Sequence, residues 1–154
     1  MRGQKKGFTL IEILIAIAII AILAVVVFVA LNPAKRIADS KNSRRTTDVA
    51  SILTAIQTSI VDNKGALPTG LTAGMAERQL GTAATGAAVA TGGCAVTNDA
   101  ALNMATPLEK YLKDIPVDPD GSAAETGYSV VVDANGIVTV RACLAEGTTI
   151  SSSR

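Results

Sequence analysis

The chain has 154 residues, enough for one domain with an appendage. It contains no His and no Trp, which excludes imidazole metal sites and His-based acid–base catalysis, and its two cysteines, Cys94 and Cys143, are too few for an all-cysteine zinc site. The net charge of +1 hides an asymmetry: residues 1–45 carry eight basic and two acidic side chains, whereas residues 46–154 carry six and eleven, a pattern of two regions in different surroundings and without the basic, aromatic-interleaved face of a nucleic-acid-binding domain.

Phe8 to Leu31 is a run of 24 residues in which only Thr9 and Glu12 are polar. As a helix it covers about 36 Å, enough for a ~30 Å hydrocarbon core, and a helix satisfies its own backbone there where an isolated strand does not. A cleaved secretory signal fits the basic start but not the length of the run, and no small-x-small site follows it. Glu12 is the anomaly. It lies one turn into the run with no basic residue inside the run to pair with, and a carboxylate at mid-membrane costs about 3 kcal/mol. Either it reaches back to the interface or its partner lies on another chain.

Lys5-Lys6-Gly7-Phe8-Thr9-Leu10-Ile11-Glu12, followed by the apolar run, resembles the amino terminus of type IV pilins and their type II secretion pseudopilin relatives. The resemblance is close over residues 1 to 35. It implies cleavage between Gly7 and Phe8 by a membrane aspartyl prepilin peptidase, N-methylation of Phe8, and insertion of the run into a helical filament. There Glu12 would pair with Phe8 of the adjacent subunit. It also places the amino terminus in the cytoplasm. The positive-inside count does not, because three basic residues precede the run and five follow it by Arg45. Many relatives carry a helix breaker within the run, whereas this sequence has none before Pro33.

Asn32-Pro33 predicts a kink, after which helix formers resume. The polar stretch Asp39–Asp48 reads as a solvated connector, with subunit or lipid-headgroup contacts as the alternative. Val49, Ile52, Leu53, Ile56 and Ile60 form one apolar stripe, and Gly65 is the expected helix cap. Residues 65–97 are a loop rich in Gly, Ala and Thr with weak helix tendency near Ala73–Leu80, and their composition also fits disorder. Thr106-Pro107-Leu108-Glu109 reads as a capping box opening a short helix with a Leu108, Tyr111, Leu112, Ile115 face. Turn signals run from Ile115 to Gly121. This combination is similar to the centre of major pseudopilins and Gram-positive pilins. Tyr128–Asp133 and Ile137–Leu144 predict a hairpin whose Val138, Val140, Ala142 and Leu144 pack on the helical stripe. Thr148–Ser151 could add an edge strand, and Ser151–Arg154 reads as a frayed tail.

No nucleophile has a visible base and no phosphate loop follows a strand, so no enzyme is expected and no cofactor is implied. Asp118, Asp120 and Glu125 give a faint calcium-loop pattern, but an Asp-Pro-Asp-Gly turn explains them without a metal. Cys94 and Cys143 are either two buried thiols or, with the head outside the cytoplasm as the resemblance implies, a disulfide.

The sequence therefore predicts an α+β, type IV pilin-like fold in four segments: a leader over 1–7, a transmembrane and filament-core helix over 8–31, its amphipathic continuation over 32–64, and a head over 65–154. The expected function is that of a structural subunit polymerising into an extracellular type IV pilus for adhesion, motility or DNA uptake. A secretion or competence pseudopilin is the alternative, and a monomeric single-pass binding module comes third. The expected partners are copies of the chain itself, the prepilin peptidase, the assembly platform with its ATPase, and the cytoplasmic membrane before assembly. Nucleic acid enters only as a cargo of the filament.

Overall fold

The computed structural model describes residues 7–154, which divide into one unit up to Ala38 and a second from Asp39 to Arg154. The leader predicted over residues 1–7 lies, apart from Gly7, outside the described residues.

In the first unit, α1 (Leu10–Leu31) is the apolar helix. Its 22 residues include none that is buried, and it is long and apolar enough to cross a membrane. It ends where Asn32 turns left-handed (φ 41°, ψ 73°) and donates its N–H to Val29 O. Asparagine tolerates that conformation because its side chain bonds locally. Here Asn32 Oδ1 accepts the Lys35 N–H at 3.3 Å and so caps the next helix, α2 (Pro33–Asp62), which opens on proline. One residue thus ends one helix and starts another.

From Asp39 onward α2 belongs to the second unit. Val49, Ile52, Leu53 and Ile56 are buried in one core, as the stripe predicts. The helix ends with Gly65 N–H on Ile60 O and Lys64 N–H on Val61 O, a Schellman motif. Lys64 (φ 57°) and the expected Gly65 (φ 92°) both take positive φ there, and the Asn63 side chain donates back to Ser59 O.

Four antiparallel strands follow in spatial order: β1 (Arg78–Gln79), β2 (Tyr128–Val132), β3 (Val138–Ala142) and β4 (Ile150–Ser153). β2 and β3 form the expected hairpin, with Val130 opposite Val140. Its turn is built by Asp133, whose Oδ1 accepts the N–H of both Asn135 and Ile137 at 2.8 Å. These bonds hold the Asp133 carboxyl below its usual pKa. Tyr128, Val130, Val132, Val138, Val140 and Ala142 share one face and join the core with the α2 stripe. Leu144, expected on that face, lies in the turn after β3. On the other face, Ser129 meets Cys94 and Arg141 pairs with Glu77.

Three expectations need correction. The Ala73–Leu80 segment holds β1 and turns, not a helix; pairing with β2 (Arg78 opposite Val130) outweighs a weak propensity. The Thr106 capping box does not form. Asn103 Oδ1 takes the Ala105 N–H at 3.0 Å, so α3 (Ala105–Leu108) starts earlier, has no side-chain cap and lasts one turn. Leu108, the last residue of α3, and Tyr111, Leu112 and Ile115 beyond the helix still pack on the core. Finally, Ser151–Arg154 is not a frayed tail: Ile150–Ser153 is β4, and Arg154 exchanges both backbone bonds with Val138. A run of three serines carries no strand pattern, and β3 imposes it.

Tyr128 is fully buried and its hydroxyl donates to Asp48 Oδ2 at 2.7 Å. Burial, then the Asp48 acceptor, holds the phenol well above its ordinary pKa. A group raised in the folded state contributes stability below its unfolded pKa, about 10 for Tyr, and loses it as pH rises further. The full chain in detergent should therefore lose stability steeply above pH 10 in urea titrations, and Tyr128→Phe should flatten that slope. An unchanged slope would contradict this account.

Candidate functional site

The residues that the sequence singles out at the amino-terminal end lie together in the first unit. Gly7 is exposed, and a Cβ built on it meets nothing within 4 Å. The fold itself thus places no demand for glycine at this position. Phe8 is 83% exposed. Thr9 is extended (φ −77°, ψ 153°) and is the N-cap of α1. Its Oγ1 accepts the Glu12 N–H at 3.3 Å, while Glu12 Oε2 accepts the Thr9 backbone N–H at 2.8 Å and the Thr9 hydroxyl at 2.7 Å. This is a capping box: two backbone donors at the helix start are satisfied reciprocally, and an acidic side chain sits at the positive end of the helix dipole. Both bonds to the carboxylate land on Oε2; among the described residues none reaches Oε1.

Thr9 is the residue that sequence reasoning missed. Its signal was present, since Thr9-x-x-Glu12 immediately before an apolar run is the capping-box pattern. The structure adds a local answer to the Glu12 anomaly, because a carboxylate bonded to its own helix start is not stranded.

The second unit holds the other predicted residues. Cys94 and Cys143 are joined as a disulfide, with Cα atoms 5.3 Å apart. Asp118 and Asp120, two of the faint calcium-loop carboxylates, face cations of α2. Arg45 is completely buried and forks onto Asp118, Nε to Oδ2 at 2.6 Å and Nη2 to Oδ1 at 2.9 Å. It also donates to Asn42 Oδ1 and Asp120 Oδ2. Lys41 Nζ lies 2.7 Å from Asp120 Oδ1. That bond to Lys41 lowers the Asp120 pKa and raises that of Lys41, and the bond to Asp118 raises that of Arg45. A divalent ion would have to displace a guanidinium here. Among the described residues no group of three or more His, Cys, Asp or Glu could hold a metal ion.

This overturns the reading of Asp39–Asp48 as a solvated connector. One face of it is solvated; the other docks on the Asp118–Gly121 turn. Gly127 (φ 81°) permits the approach, since a Cβ there would lie 2.8 Å from Asp118 Cβ.

Residues 2–28 match the prokaryotic N-terminal methylation motif. Together with the apolar helix behind it, the motif supports a prepilin leader of the type IV pilin and pseudopilin kind. No curated protein and no solved structure matches the chain.

Two substitutions test these sites. Asp118→Asn leaves Arg45 buried beside a neutral amide and should lower head stability by about 3–5 kcal/mol in urea unfolding; a loss below about 1 kcal/mol, the size of an exposed pair, would show the pair to be solvated. Thr9→Val removes the cap acceptor and should weaken the first turn of α1 by about 1 kcal/mol. Faster amide exchange at residues 10–13 in detergent micelles would report it, and unchanged exchange would refute the capping role.

Proposed function

We propose that this chain is a prepilin whose leader is cut between Gly7 and Phe8, whose new amine at Phe8 is methylated, and which then polymerises into a type IV pilus. The observation that carries the reading is α1. Its 22 residues, apolar apart from Glu12, include none that the chain itself buries. At about 25 cal/mol per Å² such a surface requires cover, from lipid before assembly and from other copies afterwards. The methylation motif at residues 2–28 supports the same reading. The head, closed by a disulfide, is suited to the oxidising side of the membrane. The role is structural, with the prepilin peptidase, the assembly platform and its ATPase as the processing and assembly partners.

Glu12 is the assembly residue in this proposal. In the precursor its carboxylate is held by Thr9. Cleavage creates a cationic amine at Phe8, one turn away, and in an apolar filament core the carboxylate of one subunit would neutralise the amine of the next. A misplaced subunit would leave both unpaired, at about 3–5 kcal/mol per site, so the pair sets axial register.

The test separates processing from assembly. Because Gly7 has open space around it, Gly7→Tyr should leave the fold intact and block leader removal at the peptidase. Glu12→Ala should be cleaved normally, as read by mass spectrometry of the amino-terminal peptide, yet yield no filaments by electron microscopy. Normal filaments from fully processed Glu12→Ala protein would overturn the assembly role. Filaments confined to the cell envelope would favour the pseudopilin reading over a surface pilus.

A further inference from the structure

The outer face of the sheet carries a cluster that the proposed function does not draw on. Cys143 follows β3 and is completely buried, whereas Cys94 is 6% exposed between the exposed residues Gly93 and Ala95. Buried Ser129 of β2 lies against this pair, its Oγ 3.2 Å from Cys94 Sγ and 2.6 Å from Glu77 Oε1. Glu77 Oε2 in turn accepts from Arg141 Nη1 and from the Ala95 N–H, both at 2.8 Å.

Counting protons gives this cluster a direction. Ser129 has a single hydroxyl hydrogen, and a carboxylate paired with arginine accepts and does not donate. The hydrogen therefore goes to Glu77, and Ser129 Oγ turns a lone pair toward Cys94. A disulfide sulfur has no hydrogen to offer that lone pair, but a thiol has one. The line Cys94 to Ser129 to Glu77 is a complete donor chain only when the cysteines are reduced.

We propose that Cys94 is the nucleophile through which the head acquires its disulfide, and that Ser129 and Glu77 carry its proton away. The Cys94 proton passes to Ser129 Oγ as the Ser129 proton passes to Glu77, leaving a thiolate. The thiolate attacks one sulfur of an external disulfide, either of a small molecule or of a protein oxidant. The external S–S bond breaks, a mixed disulfide forms on Cys94, and the departing thiolate takes the proton from Glu77. Cys143 then attacks the Cys94 sulfur and closes the Cys94–Cys143 bond. The second external thiol leaves with the proton that Cys143 gives up. Two protein thiols are oxidised and one external disulfide is reduced to two thiols.

Two further features set the order of attack and the ease of closure. Cys94 is itself buried but flanked by the exposed Gly93 and Ala95, so an incoming disulfide has a shorter way to it than to the completely buried Cys143. The loop is also held without the S–S bond: Thr91 Oγ1 donates to Cys143 O at 2.7 Å, and Val89 and Val96 exchange both backbone bonds. Gly92 (φ 58°) passes so close that a Cβ would lie 2.5 Å from Cys143 O. Both sulfurs are thus kept near each other in the reduced head, and ring closure is an intramolecular step.

The experiment uses the full chain in detergent micelles, reduced, freed of reductant and mixed with oxidised glutathione. Mixed disulfides are trapped by acid and located by peptide mass spectrometry, so filament formation does not enter the readout. The Cys143→Ser chain should take up glutathione at Cys94 at least about tenfold faster than the Cys94→Ser chain does at Cys143. Ser129→Ala and Glu77→Gln should each slow Cys94 by at least about tenfold near neutral pH and move its pH–rate curve upward, with Ser129→Thr restoring it. Faster reaction at Cys143 would overturn the proposal, as would a rate and pH profile unchanged in Ser129→Ala. The comparison of the two single-cysteine chains leaves Ser129 and Glu77 intact, so it decides the order of attack even if a relay variant fails to fold.

Discussion

The head hangs on one ion pair. Arg45 comes from a stretch of α2 in which no residue from Asp39 to Asp48 is apolar, so hydrophobic burial cannot hold this part of the helix down. At the centre of what holds it is a guanidinium forked onto Asp118, with Asn42 and Asp120 taking two more of its donors, flanked by Lys41 on Asp120 and the Tyr128 hydroxyl on Asp48. Asp118 is itself fixed, since its N–H bonds Thr126 O and its Oδ1 also accepts the Asp120 N–H. Desolvating two charges costs several kcal/mol per ion, and only near-complete hydrogen bonding offsets it. The cluster meets that condition, and the rest of the head is arranged to keep it: a Pro-rich turn brings the two aspartates in, and Gly127 leaves room for them. Such a pair contributes little net stability compared with an apolar substitute, but it tolerates no shift in register between α2 and the turn.

How much of this was legible follows from the kind of signal each part sends. The Val49–Ile60 stripe and the Tyr128–Ala142 hairpin announce themselves by periodicity, because their partners are defined by burial alone. Arg45 sends no such signal. A lone arginine among Ser, Thr, Asn and Lys looks like a solvated face, and its partner is 73 residues away. Asp118 and Asp120 were conspicuous as a pair, but a turn and a metal loop share that spelling, and only the incoming cation distinguishes them. β4 is the reverse case, an element with no pattern of its own that exists because β3 offers an edge.

The two capping boxes make the same point more sharply. Thr106-x-x-Glu109 and Thr9-x-x-Glu12 have identical spacing, yet only the second forms. At residue 106 a competitor stands three positions upstream: Asn103 takes the Ala105 N–H first, and the helix starts there. At residue 9 there is no such rival among the described residues, and the apolar run behind Thr9 offers, apart from Glu12, no side chain that could satisfy its first amides. A cap forms where the alternative is an orphaned donor, so the surroundings of a motif decide what its spelling leaves open.

Two surfaces stay uncovered among the described residues. α1 exposes side chains with almost no polar atoms. On α2 the hydroxyls of Ser43, Thr46, Thr47, Ser51, Thr54 and Thr58 each bond back to the carbonyl four residues earlier. Their donors are already satisfied, so covering that face strands none of them, and what a neighbour would meet is largely methyl and methylene surface. A chain with only four aromatic residues has few large anchors with which to make an interface. Small side chains with inward-turned hydroxyls let helices approach closely instead, and close approach gains dispersion energy from many weak contacts. The composition that makes this sequence look featureless is thus what a subunit needs if its function is to be packed between copies of itself.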